Sequence, residues 1–123
     1  MGIDIYVSDT KIDRSFTGIG LPHICFEDEM SELIWKHRDV FEEHIKIFLE
    51  LEPYEDMDLS KNQIKELKAF AQDLLQEEKI AYIEKDFSKF HMDKKTYIDF
   101  ATKLVAICQL ALDTDKILVS EGD

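Results

Sequence analysis

The stretch DMDLSKNQIKEL, residues 56–67, carries two competing signals, and the choice between them decides how the middle of the chain is built. Polar side chains occupy alternate positions at its start, as the first ligands of a calcium loop do: Asp56, Asp58, Ser60 and Asn62. Such a loop needs glycine at its sixth position and a bidentate glutamate at its twelfth. Those positions hold Lys61 and Leu67, so we reject a calcium loop.

The same letters predict the start of a helix at Ser60. Ser60 is a favourable N-cap residue, and Gln63, three positions on, completes a capping box. Leu59 before the cap and Ile64 after it occupy the positions of a hydrophobic staple. Apolar residues then recur at helical spacing on one face: Ile64, Leu67, Phe70, Ala71, Leu74 and Leu75. The stretch therefore predicts an amphipathic helix that begins near residue 60.

The preceding segment predicts a longer helix, from near Asp28 to about Leu51. Residues on one face step by alternating intervals of four and three: Met30, Ile34, His37, Phe41, His44, Phe48 and Leu51. Pro53 ends the helix, because the residue before a proline is displaced from α space. A coiled-coil seam between two copies of the chain is one interpretation of this stripe. We favour an internal face, because other apolar helices are available to cover it.

Two further helices follow. A new apolar stripe begins after residue 78: Ile80, Ile83, Phe87 and Phe90. At about 100° per residue it lies nearly opposite the preceding stripe, so we expect a break near Glu77 to Lys79 and a short helix over 79–90. Asp93 then caps a third long helix that ends near Asp113.

Short strands are predicted at both ends of the chain. Apolar and polar residues alternate over 3–7, and HICF, residues 23–26, is a candidate second strand. The apolar run 117–119 is a candidate partner of 3–7. Residues 8–22 carry loop signals, and TGIG within them lacks the third glycine and the setting of a dinucleotide site.

These elements predict a mainly α protein. The expected architecture is a helical bundle of three long helices and one short helix, with a small β element from the N- and C-terminal segments. The length of 123 residues fits a single domain, residues 1–123. Four glycines and two prolines argue against a linker-rich chain.

Charge is the strongest property of the whole sequence. There are 27 acidic residues and 15 basic ones, which gives a formal net charge of −12. A field of that sign repels phosphate backbones and anionic membranes, so we expect neither direct nucleic-acid binding nor membrane binding. It attracts basic proteins and speeds encounter with them. Solubility alone is the alternative explanation of the charge.

The sequence favours a cytoplasmic location. Cys25 and Cys108 belong to no metal or redox motif and lie among apolar residues, as buried thiols in a reducing compartment do. MGIDIYVSD has acids where a signal peptide would have a basic start and an apolar run. No apolar stretch approaches the roughly 20 residues of a membrane helix.

His37 and His44 are the best metal candidates in the sequence. They are seven residues apart, so on a helix they share a face but lie about 10.5 Å apart along its axis. One metal ion needs ligands about 2 Å away, so the two cannot share it unaided. HExxH and the Glu-x-x-His of di-iron bundles are both absent. We expect histidines of a core or an interface, and predict no metal, no cofactor and no catalytic residue.

The segment ELEPYEDMD, residues 50–58, is the predicted partner-binding site. Five acids and an aromatic residue lie there without a base, on a connection that contains a proline: Glu50, Glu52, Tyr54, Glu55, Asp56 and Asp58. Such a composition is typical of an electrostatic binding edge. The alternative is a solvated connection whose acids favour the N-terminus of the next helix. Glu27, Asp28 and Glu29 at the first helix start form a weaker second patch, because the helix dipole also favours acids there.

We therefore expect a non-enzymatic acidic module that binds a basic protein partner. The concrete form of this hypothesis is an immunity protein or antitoxin that neutralises a basic toxin, such as a nuclease, by occluding its surface. A small helical metalloprotein or enzyme using His37 and His44 is the alternative. A further alternative is a homodimeric structural or regulatory adaptor, joined through the first long helix.

Overall fold

The computed structural model of the protein describes residues 3–8, 23–51 and 57–122. Its helices are α1 (Asp28–Lys36), a first 3-10 helix (Arg38–His44), α2 (Ile45–Glu50), α3 (Lys61–Leu74), α4 (Glu77–Glu84), a second 3-10 helix (Phe87–Phe90) and α5 (Lys94–Asp113). Its strands are β1 (Ile3–Ser8), β2 (His23–Phe26), β3 (Met57–Leu59) and β4 (Ile117–Gly122). The protein is mainly α with a small sheet, as the sequence predicts.

The strands form one antiparallel sheet in the order β2-β1-β4-β3. The predicted pairing of the two end segments is confirmed, since Val7 lies opposite Leu118. HICF is also a strand, in which Ile24 lies opposite Ile5. The sequence does not predict β3, which extends the sheet beyond β4 with Leu59 opposite Leu118.

The helices cover one face of this sheet. Ile3, Ile5 and Val7 alternate along β1 and are buried in the same apolar cluster as the inner faces of the helices. α5 contacts β1, β2 and β4, whereas α3 contacts β3 and β4. α3 and α5 also pack against each other, so this pair forms the centre of the helical layer.

The start of α3 confirms the helix interpretation of residues 56–67. The Ser60 hydroxyl accepts a hydrogen bond from the Gln63 amide at 3.2 Å, and the Ser60 amide donates to Gln63 Oε1 at 2.8 Å. This is the predicted capping box, and it satisfies two amides that the helix itself leaves without partners. Leu59 and Ile64, the two staple residues, are both fully buried.

The two later helices also begin where local signals place them. α3 ends at Leu74 and α4 begins at Glu77, close to the predicted break; the expected short helix continues as the second 3-10 helix. Asp93 caps α5, because its carboxylate accepts from the Thr96 amide at 2.7 Å. That hydrogen bond holds the pKa of Asp93 below its usual value.

The first long helix is not continuous, which corrects the prediction for residues 28–51. The backbone at Glu42 leaves helical space with φ 53° and ψ −129°, between α1 and α2. For a residue with a Cβ atom, such a conformation costs on the order of 1–3 kcal/mol. We attribute the break to Phe41, whose fully buried ring packs edge-on against Phe70 at 5.5 Å. Tertiary packing overrides helical periodicity at this point.

The alternating stripe of this segment packs inside the chain. Six of its seven residues are buried or half-buried in the described structure: Met30, Ile34, His37, Phe41, Phe48 and Leu51. The exception is His44, whose side chain is about half exposed. The stripe is therefore an internal face, which is the interpretation that we favour from the sequence.

Candidate functional site

The predicted acidic segment 50–58 is only partly described. These of its residues lie outside the described part of the chain: Glu52, Tyr54, Glu55 and Asp56. Glu50 is exposed at the end of α2, where it lines a shallow groove together with other acids and with Lys46 and Lys65. Asp58 is half-buried within β3, opposite Val119, so it belongs to the sheet rather than to an exposed loop.

The weaker patch of the sequence contributes to a groove. A concave surface of about 630 Å³ lies between β2, the start of α1, the residues after the second 3-10 helix and α5. Its charged and titratable lining residues come from distant parts of the chain: His23, Glu27, Glu29, His91, Asp99 and Lys103. We call it the acidic groove, because three carboxylates face a single lysine. Such a surface suits a cationic side chain of a partner.

A second groove is apolar and lies between the two halves of the kinked segment. It has a volume of about 620 Å³ and lies between α1, α2, β1 and the second 3-10 helix. We call it the Trp35 groove. Its lining is Ile3, Ser31, Glu32, Trp35, Lys36, Phe48, Leu49, Leu51 and Phe90. Trp35 and Leu49 are 52% and 46% exposed, so two large apolar side chains stand in solvent.

Two basic residues pack against the aromatic rings of the Trp35 groove. The Arg38 guanidinium lies 4.4 Å from the centre of the Trp35 ring and donates a hydrogen bond to the Trp35 carbonyl at 2.9 Å. Lys36 Nζ lies 5.9 Å from the centre of the Phe90 ring and 3.5 Å from a carboxylate oxygen of Asp86. Stacking on an aromatic face is a favourable position for a cation. These contacts restrict the side chains of Trp35 and Lys36.

His37 and His44 each bind a different carboxylate. His37 Nε2 lies 2.8 Å from Asp86 Oδ2, and both groups are buried. His44 Nδ1 lies 3.1 Å from Asp73 Oδ2. The two pairs fasten the first 3-10 helix at its start to Asp86, just before the second 3-10 helix, and at its end to Asp73 in α3. No set of three or more potential metal ligands comes together within residues 3–8, 23–51 and 57–122.

The two buried carboxylates are also supported by lysines. Burial alone would raise the pKa of Asp86, but hydrogen bonds from Lys89 and His37 and the charge of Lys36 outweigh it and hold the pKa below its usual value. Lys79 forms an ion pair with Asp73 and lies 5.9 Å from the centre of the Phe41 ring. These interactions stabilise the break in the first helix, so their role is structural.

The buried groups of nucleophilic type are inert. Burial raises the pKa of Cys108 to about 12, so the thiol remains protonated at neutral pH. Burial, with a smaller contribution from the charge of Asp73, raises the pKa of Tyr97 well above its usual range. The Tyr97 hydroxyl has no hydrogen-bond partner among the described residues.

Comparison with known proteins identifies no relative. No protein-family model matches the chain, and no curated protein or solved structure is significantly similar to it. Among the described residues, no helix combines the length and the apolar character needed to cross a membrane.

Sequence reasoning missed the Trp35 groove. A signal for it was present, since Trp35 and Leu49 are apolar residues that fall directly beside the buried stripe rather than on it. Each follows a stripe member, Ile34 and Phe48 respectively, and therefore points away from the core on a helical wheel. What the sequence does not reveal is that the kink brings α1 and α2 around one cavity.

Proposed function

We propose that this protein is a non-enzymatic, acidic binding module for a basic protein partner. Its concrete form is an immunity protein or antitoxin that occludes the basic surface of a toxin, for example a nuclease. The observation that carries the proposal is the set of exposed carboxylates around the start of α1, in a chain of net charge −12: Glu27, Asp28, Glu29 and Glu32. The acidic segment 50–58 adds five acidic residues to the sequence without a base.

The electrostatic field supports this partner class over the others. Opposite charges accelerate encounter between two proteins and orient them before contact, whereas like charges oppose it. A chain of this charge is repelled by phosphate backbones and by anionic lipid surfaces. A nuclease needs a basic surface to hold its substrate, so that surface is what an acidic module covers.

A cytoplasmic location accords with the cysteines. Cys108 is buried and Cys25 is half-buried, and both are present as thiols. Thiols of this kind persist in a reducing compartment, where an immunity protein or antitoxin meets its toxin before harm occurs.

The function is tested with the product of the neighbouring reading frame. Co-expression should restore the growth of cells that produce that protein, and a purified one-to-one complex should form. The pair Glu27→Gln and Glu29→Gln should then slow association about threefold or more at low ionic strength and flatten its salt dependence. Stopped-flow mixing at several salt concentrations measures both effects.

The matched control is the pair Glu77→Gln and Glu78→Gln. These residues are also exposed, lie in the first turn of α4 and change the net charge by the same amount. Equal slowing by both pairs would mean that only total charge matters and that the α1 surface is not the contact. Toxin-like activity that co-expression leaves unchanged would refute the neutralising function itself.

The acidic segment is tested in the same assay. Replacement of Glu52 and Glu55 by Gln and of Asp56 by Asn removes three of its five negative charges, while Asp58 is left intact because it lies within the sheet. A slower association rate with an unchanged melting temperature would assign the segment to the interface. An unchanged rate would restrict the interface to the α1 surface.

A further inference from the structure

The Trp35 groove is an unusual surface for so charged a chain. Most large apolar side chains of the described residues are buried, whereas Trp35 and Leu49 are about half exposed and face the same cavity. Phe48 and Phe90, both half-buried, contribute to its lining. Exposed aromatic and aliphatic residues around a concave apolar surface are typical of protein-binding sites.

The size and rigidity of the groove suit a side-chain anchor. Its volume of about 620 Å³ exceeds that of any single side chain and is of the order of a cleft that holds a compact ligand. Arg38 covers one face of the Trp35 ring and so restricts its rotamers, which reduces the side-chain entropy lost on binding. A groove of that volume has room for two apolar side chains, the number that one face of a helix presents at i and i+3 or i+4.

The charges around the Trp35 groove determine which partner side chains can flank the apolar anchors. Glu32 lines the groove, and the exposed Glu50 follows Leu49 directly. Two cations also lie at this surface: Lys36, which is held close to Asp86, and Arg38, which is stacked on the Trp35 ring, so the attraction for a basic partner comes from the excess negative charge of the whole chain. A second copy of this chain would bring another net charge of −12 to the same surface, which opposes association. A basic segment is attracted by the same field.

We infer that the Trp35 groove binds the apolar side of a basic amphipathic helix of the partner. This inference rests on the proposed function and assigns its anchoring site. Leucine-like side chains enter between Trp35 and Leu49, while flanking lysines or arginines meet Glu32, Glu50 and the surrounding field.

The test uses Trp35 itself as the reporter, because it is the only tryptophan of the chain. The probe is a synthetic amphipathic helix of leucine and lysine, about 14 residues or four turns long. Trp35 emission should move to shorter wavelength and saturate with peptide, and higher salt should weaken binding. A peptide with glutamate in place of lysine, and one with the leucines scrambled off one face, should not bind.

The decisive variant is Leu49→Glu. It should weaken binding of the leucine–lysine peptide at least about tenfold, as expected for loss of an anchor contact. The added carboxylate would by itself attract the peptide, so a loss reports the apolar contact. Leu110→Glu is the matched control, since Leu110 is also exposed, at 38%, but lies on α5 outside the groove. Leu49→Ala is a second variant without a charge change, and circular dichroism verifies that each variant is folded.

Other outcomes would overturn the inference. Equal binding of the glutamate peptide would contradict the requirement for a basic partner. A spectral shift that grows with protein concentration alone would show that a second copy of the chain occupies the groove. If Leu49→Glu binds the lysine peptide normally while Glu27→Gln with Glu29→Gln does not, the groove assignment fails and the proposed function stands. If growth rescue fails but the peptide binds in the groove as expected, the neutralising function fails alone.

Discussion

Replacement of the exposed Glu42 by glycine should stabilise the protein. Glu42 has φ 53° and ψ −129°, a conformation that is strained for any residue with a Cβ atom and free for glycine. Relief of the strain contributes about 1–3 kcal/mol, and the greater entropy of glycine in the unfolded chain removes about 0.4–1 kcal/mol of it. We expect a net gain of about 1 kcal/mol in the free energy of unfolding.

The neighbouring residue supplies the control. Glu43 is also exposed, carries the same charge and has helical backbone angles. Glu43→Gly should therefore cost about 1 kcal/mol, the usual cost of glycine within a helix. The two variants lose the same side chain at adjacent positions, so they should differ by about 2 kcal/mol only because their backbones differ.

Urea unfolding measures the difference. With a slope of about 2 kcal/mol per M, typical of a small domain, the midpoints of the two variants should lie about 1 M apart. Far-UV circular dichroism reports the unfolding of the helices. Trp35 emission reports the unfolding of the kinked segment, because Trp35 lies on the N-terminal side of the break. Equal destabilisation by both substitutions would refute the break at Glu42 and restore a continuous first helix.

Two further predictions concern the buried pairs. Because the pKa of folded Asp86 lies below its usual value of 3.8, its contribution to stability is fully present above about pH 5 and is lost as the pH falls past 3.8 and through the folded pKa. The difference in stability between the wild type and Asp86→Asn, measured by urea unfolding at pH 6, 4 and 3, should shrink as the solution is acidified; a constant difference would mean that the carboxylate is not paired. Elemental mass spectrometry should find no stoichiometric zinc or iron, and a chelator should leave the melting temperature unchanged, because His37 and His44 each bind a separate carboxylate. Bound metal that is lost on replacement of either histidine would favour the metalloprotein alternative.

Only part of the candidate site was predictable. The sequence identifies the charge and the acids at the α1 start, because those properties belong to single residues and their near neighbours. It does not group Glu27 and Glu29 with Asp99, which is some seventy residues away in the chain and reaches the same groove only through the packing of α5 against β2. It also gives Asp58 to a loop, whereas pairing with β4 makes it part of a strand.

The elements that the sequence alone determined are those with local causes. The capping box at Ser60, the cap at Asp93 and the alternation of the β1 segment lie within a few residues of the structure they specify. These signals fix where α3 and α5 begin and which face of β1 is apolar. Hydrogen bonds and periodicity within one element are sufficient to specify these features. They can therefore be predicted from the sequence without knowledge of the tertiary structure.

Tertiary structure decided the break at Glu42, the β3 strand and the Trp35 groove. The alternating stripe of residues 28–51 is compatible with a straight helix as well as with a kinked one, so periodicity cannot distinguish between the two structures. The choice depends on Phe41 meeting Phe70 and on the carboxylates that His37 and His44 reach, and these partners lie about thirty to fifty residues away in the chain. Contacts over such separations form only when the helices and the sheet pack together. The Trp35 groove, which results from the kink, is therefore apparent in the tertiary structure and not in the sequence.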